Sequence, residues 1–246
     1  MIATDPAGRV AAFRAARGRV LERIAGAAAR ATRDPASVTL LAVSKTVDAE
    51  ALRDAVAAGL DLLGENRVQE AIAKAPEVPG ARWHLVGPLQ GNKARKAMEL
   101  FASIQSVDSV PLAERLNRLS DELRPVARYP VLLQVNVDDD PAKAGFLPLG
   151  LEAAVGRLGE LTGLEIRGLM TIGRLVDDPE AARPTFQRLR ALSESLRGHG
   201  APIGAELSMG MTDDFEVAVE EGATMVRVGR ALFGERHEHD HGRGPV

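Results

Sequence analysis

VTLLAVSKTVDAEALRDAVAAGLDLLGE, running from Val38 to Glu65, decides the fold. A short apolar run leads out to Lys45. An amphipathic stretch follows over Asp48–Ala58, Gly59 punctuates it, and a second apolar run ends at Glu65. Ala51, Leu52, Ala55 and Val56 fall on one face of the middle segment, which is the helical period. Strand, helix and strand at this spacing predict a parallel pair covered by its own helix.

The same unit recurs along the chain. Apolar runs rich in Val, Leu and Ile occur near 38–45, 60–65, 83–88, 103–108, 130–137, 165–172, 205–210 and 224–229, each bounded by turn residues. Helical patterns lie between them. Pro111–Leu123 lines up Leu112, Leu116 and Leu119, and Leu151–Leu161 and Pro184–Arg197 show the same period. Gly59, Gly198 and Gly222 stand where helices should stop, and Asp213 stands where the next one should start. Eight strand–helix units over about 200 residues predict a single closed (β/α)₈ TIM-type barrel with one extra N-terminal helix. A doubly wound open sheet is the alternative, but no strand runs into Gly-x-Gly-x-x-Gly. With no linker or break in composition, residues 1–236 read as one domain and 237–246 as a polar, disordered tail.

Composition narrows the function classes. The chain has 246 residues, with 31 Lys+Arg against 34 Asp+Glu, a formal net charge of −3. That balance gives no basic field for nucleic acid. No apolar run reaches the length of a membrane span. Zero cysteines exclude disulfides, thiolate metal sites and a cysteine nucleophile, and they fit a cytoplasmic protein. The first 33 residues are rich in Ala and Arg but carry Asp5 and Glu22. They read as an amphipathic helix packed on the domain rather than as a targeting signal.

In a barrel the chemistry sits at the C-terminal ends of the strands. Only five lysines occur: Lys45, Lys74, Lys93, Lys96 and Lys143. Lys45 emerges from an apolar run into the mouth, where a lysine either points to water or serves as a nucleophilic amine able to form a Schiff base. Asn66 ends the second strand. His84 lies inside the third run and reads as a packed, hydrogen-bonded core residue; Trp83 reads as structural. Gln90-Gly91-Asn92-Lys93 is either a closing loop or an ordinary connection. Asp138-Asp139-Asp140 lacks EF-hand spacing and reads as a solvated loop; Lys143 after it is a second amine near the mouth. His237, His239 and His241 fall in the tail, so no metal site is expected.

The last two strands are the most informative. Ser208-Met209-Gly210 and Arg227-Val228-Gly229-Arg230 end strands seven and eight, where such barrels commonly bind phosphate. Small residues let amides approach an anion, and Arg227 inside a strand would be costly to bury without an acceptor. A lysine on strand one with a phosphate cradle on strands seven and eight points to a phosphorylated aldehyde. Pyridoxal 5′-phosphate (PLP) qualifies. So does a sugar phosphate handled by a Schiff-base aldolase.

Ala42-Val43-Ser44-Lys45, Gly64-Glu65-Asn66 with Gln69-Glu70, and Trp83-His84-Leu85-Val86-Gly87-Pro88-Leu89-Gln90 occur in order. Arg167-Gly168-Leu169-Met170, Leu207-Ser208-Met209-Gly210-Met211 and Val226-Arg227-Val228-Gly229 with Phe233-Gly234 follow. Together, over about residues 10–236, they resemble the YggS/PROSC family of PLP homeostasis proteins. The resemblance implies a barrel like the N-terminal domain of alanine racemase, with PLP held as a Schiff base on Lys45. It implies Asn66 near the cofactor, with His84 in the same set. Arg227 would lie against the pyridine nitrogen, with Ser208, the Met209 backbone and Gly229 around the phosphate. The family often has a small hydroxyl residue where this chain has Arg230, which leaves two alternatives: a charge-assisted bond to the phosphate, or an outward side chain.

Arginine cannot accept the pyridine proton, so the ring should be a weak electron sink. Racemisation also needs a second base. Tyr129, the one tyrosine, begins strand five at the bottom of the barrel, and no second domain is expected. The expectation is therefore a monomeric PLP binder with little or no turnover, whose partners are PLP and PLP-requiring apo-enzymes. A weak amino-acid racemase is the alternative.

Overall fold

The structure, a computed structural model, describes residues 5–124, 126–173 and 176–234. The expected tail and its three histidines lie outside the described residues. Eight strands run β1 Thr39–Val43, β2 Leu62–Glu65, β3 Arg82–Leu85, β4 Ser103–Val107, β5 Tyr129–Gln134, β6 Leu164–Met170, β7 Glu206–Ser208 and β8 Met225–Val228. All neighbours are parallel and β8 pairs with β1, so the sheet closes into a barrel in chain order.

Nine α-helices are described: α1 Pro6–Arg30, α2 Ala49–Ala57, α3 Val68–Lys74, α4 Ala94–Leu100, α5 Val110–Leu123, α6 Pro148–Gly159, α7 Arg183–Gly198, α8 Phe215–Glu220 and α9 Arg230–Phe233. Several start as local chemistry dictates. The Asp5 carboxylate accepts from the Gly8 amide ahead of Pro6, and Asp48 accepts from the Ala51 amide. The helix α7 runs on through Gly198, and the glycine with the left-handed backbone is Gly200, two residues later. The extra helix α1 buries Phe13, Ala16, Val20, Ile24 and Ala27, a stripe at helical spacing. Phe13 meets Phe233 edge to face, with centroids 5.7 Å apart, which clasps the start of the chain to α9.

The core has two parts. The larger lies between strands and helices; a small one, Leu41, Leu62, Val86 and Met225, fills the barrel interior. Met225 and Arg227 share the inward face of β8 by the two-residue period of a strand, with Arg227 nearer the mouth. One close approach shapes the wall. A Cβ on Gly168 would lie 2.0 Å from the Glu206 carbonyl oxygen, and its φ of +153° is one that other residues rarely adopt. Only glycine lets β6 and β7 come together there.

Candidate functional site

Lys45 sits in a tight turn at the end of β1. The Val47 amide donates to the Ser44 carbonyl at 3.0 Å, and Thr46 takes a φ of +67°. This puts the half-buried Lys45 between the ends of β2 and β8, the two strands that flank β1. On the β2 side lies Asn66, half-buried, whose side chain makes no hydrogen bond among the described residues. Gly87 packs against it so closely that a Cβ there would lie 2.3 Å from the Asn66 carbonyl oxygen. On the β8 side, a Cβ on Gly229 would lie 3.2 Å from the Val43 carbonyl oxygen, so the β8 turn abuts the lysine-bearing strand.

Four backbone amides in the two last turns, those of Gly210, Gly229, Arg230 and Ala231, hydrogen-bond to no described residue. Unpartnered amides at the C-terminal edge of a barrel are what an anion needs. The Met209 amide is not among them. It donates to the Met225 carbonyl at 3.1 Å, because the β7–β8 ladder extends one peptide beyond the strand. Arg230 turns its guanidinium outward onto Asp213. That ion pair also takes Asp213 away from capping α8. Asp214 fills the cap position instead, and its carboxylate accepts from the Met211 amide.

Inside the barrel runs a polar row. Arg227 is almost fully buried. Its Nη1 donates to Ser208 Oγ at 2.8 Å and its Nη2 to the Thr171 carbonyl at 2.7 Å. The Ser208 hydroxyl donates to Gln105 Oε1 at 2.7 Å, and Gln105 Nε2 is 2.9 Å from His84 Nδ1. As placed, donor and acceptor roles are consistent along this row. Arginine has only donors, so Ser208 accepts from it; with Gln105 Oε1 facing Ser208 and its amino group facing His84 Nδ1 and Met225 Sδ, the serine proton lies on Gln105. His84 therefore accepts at Nδ1 and carries its proton on Nε2. Burial, with the charges of Arg82 and Arg167, lowers its pKa to about 4, so it is neutral at pH 7. His84 is the hydrogen-bonded interior residue expected. Ser208, as placed, accepts from Arg227 and donates to Gln105. Burial pulls Arg227 down to about 10, which leaves it charged at pH 7.

The other expected groups serve the scaffold. Trp83 is buried in the outer core. Gly91–Lys93 forms one turn of 3₁₀ helix leading into α4. Asp138 is not solvated as expected: its carboxylate is buried and accepts from Thr185 and Arg188 of α7, tying the loop to that helix, while Asp140 accepts from the Ala142 amide within the loop. Lys143 Nζ donates to the Ile172 carbonyl at 3.2 Å. No group of acids and histidines among the described residues could hold a metal.

Residues 20–237 match the family described as alanine racemase, N-terminal domain. The pyridoxal phosphate homeostasis protein of Pseudomonas aeruginosa is 45% identical over 223 residues, covering 89% of this chain and 93% of its own. The chain belongs to the pyridoxal phosphate homeostasis family, built on the alanine racemase N-terminal domain. A second member of this family by sequence, PipY of Synechococcus elongatus, has a solved structure with PLP bound. It is 45% identical, with a TM-score of 0.76 over 87% of this chain and all of that one. The alanine racemase of Clostridium difficile has a TM-score of 0.66 at 17% identity, a likeness of fold alone; 89% of this chain covers 60% of that one.

Gln105, Thr171, Glu65 and Lys74 were not singled out from the sequence as site residues. Gln105 had a signal, a large amide in the strand Ser-Ile-Gln-Ser-Val, where burial demands a partner. Lys74 had another, as one of the five lysines. Thr171 contributes a carbonyl, which no side-chain pattern reports.

Proposed function

We propose that this chain binds PLP through Lys45 and serves intracellular PLP homeostasis, holding the cofactor and delivering it to PLP-requiring apo-enzymes with little or no turnover. PLP supplies an aldehyde that condenses with a primary amine, releasing one water, together with a phosphate and an aromatic ring nitrogen. The residues present fit that group. Lys45 offers the amine at the mouth. The unpartnered amides of Gly210, Gly229, Arg230 and Ala231 fit a phosphate. Arg227 offers guanidinium protons to a ring nitrogen and, having no lone pair, can take none from it. The observation that carries the reading is the placing of Lys45 between the Asn66 side chain and the β8 turn, on one edge of the barrel.

Low turnover follows from two residues. Arg227 keeps the ring nitrogen unprotonated, which limits the stabilisation of a substrate carbanion. Tyr129, which a racemase-like reading would recruit as a second base, donates to the Phe101 carbonyl at 2.7 Å at the start of β5. It is fully buried, and burial pushes its pKa up.

The test is the visible spectrum after adding PLP and desalting, beside Lys45→Ala. A yellow band that borohydride bleaches, absent from Lys45→Ala, is expected. A wild-type protein that retains no band would overturn the reading and bring a sugar-phosphate aldolase forward. Rapid racemisation of free alanine would overturn the carrier role.

A further inference from the structure

Beneath the Lys45 turn lies a charged cluster that the cofactor reading does not use. Glu65, the last residue of β2, is fully buried. Its Oε1 accepts from the Ser44 hydroxyl at 2.8 Å and from Lys74 Nζ at 2.8 Å. Lys74, the last residue of α3, also donates to the Ser44 carbonyl at 3.1 Å. The Ser44 amide donates to the Gly64 carbonyl at 2.9 Å. Every polar group of Ser44 is therefore engaged, and Ser44 precedes Lys45 directly.

Stability alone is a poor reason for this arrangement. A buried ion pair gains little over apolar packing, and the second carboxylate oxygen, Oε2, has no hydrogen-bond partner. What the pair achieves is geometric. It fixes the one residue from which the Lys45 backbone departs, using anchors on two neighbouring elements, β2 and α3. The Ser44 carbonyl that Lys74 holds is also the acceptor that closes the 44–47 turn.

We propose that the Glu65–Lys74 pair positions Lys45 through Ser44 and thereby sets how long PLP stays on the protein. This rests on the PLP reading above. Glu65 and Lys74 are positioning residues, since their contacts run to Ser44 and not to the reacting amine. A tethered amine that keeps its direction recaptures the aldehyde; one on a loosened turn loses it sooner.

The experiment compares wild type with Lys74→Met, Lys74→Arg and Ser44→Ala. Decay of the visible band is followed after dilution, with a phosphatase present to destroy released PLP. Lys74→Met should release PLP about tenfold faster, the size set by losing a charge-assisted hydrogen bond, and Lys74→Arg should restore much of the retention. Arg183→Met is the control. It breaks an ion-pair network to Glu180, Glu220 and Glu221 elsewhere, and should lower the melting temperature without changing release. Amide exchange across residues 44–47 is read on protein without added PLP, and should quicken in Lys74→Met and in Ser44→Ala. Ser44→Ala keeps the charge pair and supplies the test should Lys74→Met fail to fold. Wild-type release and exchange in a folded Lys74→Met, or in Ser44→Ala, would overturn this proposal alone. A wild-type chain that retains no PLP would overturn it together with the PLP reading.

Discussion

Replacing His84 by glutamine should flatten the acid limb of the stability curve. In the folded chain His84 titrates at about 4, first because it is buried and second because Arg82 and Arg167 add positive charge nearby. In the unfolded chain it titrates near the ordinary value of about 6.5. Between these values the unfolded state holds the extra proton, so folding stability rises with pH across that window. The contribution is complete above about 6.5 and is lost as the pH falls towards about 4. A gap of about 2.5 units at ~1.36 kcal/mol each makes it about 3 kcal/mol. His84→Gln keeps an acceptor for Gln105 Nε2 and has nothing to titrate. Urea unfolding of both proteins at pH 7, 5.5 and 4.5 gives the difference directly, and the remaining histidines cancel because both chains share them. Wild type should lose about 2–3 kcal/mol more than His84→Gln between the extremes. Parallel curves would refute the assignment of His84 as a neutral, buried imidazole.

Two further substitutions test the scaffold. Tyr129→Phe leaves the buried Phe101 carbonyl without its donor; it should cost about 1–2 kcal/mol in chemical denaturation while PLP retention stays at the wild-type level. Gly156 lies on the exposed side of α6, where an added Cβ would meet nothing within 4 Å. Gly156→Ala should therefore stabilise the protein by about 0.5–1 kcal/mol, seen as a raised melting temperature.

The barrel was legible because its signals are local. The run from Val38 to Glu65 carries a strand, a cap at Asp48, a helix and a second strand, and each could be read without its neighbours. Strand ends were harder. The run at 83–88 stops as a strand at Leu85, where the chain begins its approach to Asn66 at Gly87, and the run at 205–210 keeps only Glu206–Ser208. Lys45 and Arg227 stood out because each is costly in an apolar strand. Gln105 did not, because its partners come from β3 and β7 and meet only when the barrel closes. For the same reason the contacts of Ser208 with Arg227 and Gln105 were not legible. The hydroxyl was visible in the sequence, but the arginine two strand positions beyond Met225 was not visible as its neighbour.

The row from Arg227 to His84 ties binding to chemistry. As placed, its hydrogens all run one way, from β8 towards β3, starting from a guanidinium that can only donate. A carboxylate in place of Arg227 would demand the opposite. Ser208 would turn its proton to the carboxylate, Gln105 would flip to donate to Ser208, and Gln105 Oε1 would then face His84 Nδ1. That contact needs a proton on Nδ1, so His84 would have to change tautomer or take a charge. Burial and two nearby arginines oppose the charge. The interior holds a cation at the β8 position, with neutral acceptors around it at Ser208 and Thr171. A ring nitrogen meeting that cation can accept a hydrogen bond but gains no proton, so the group that would help hold the cofactor also keeps its electron demand low.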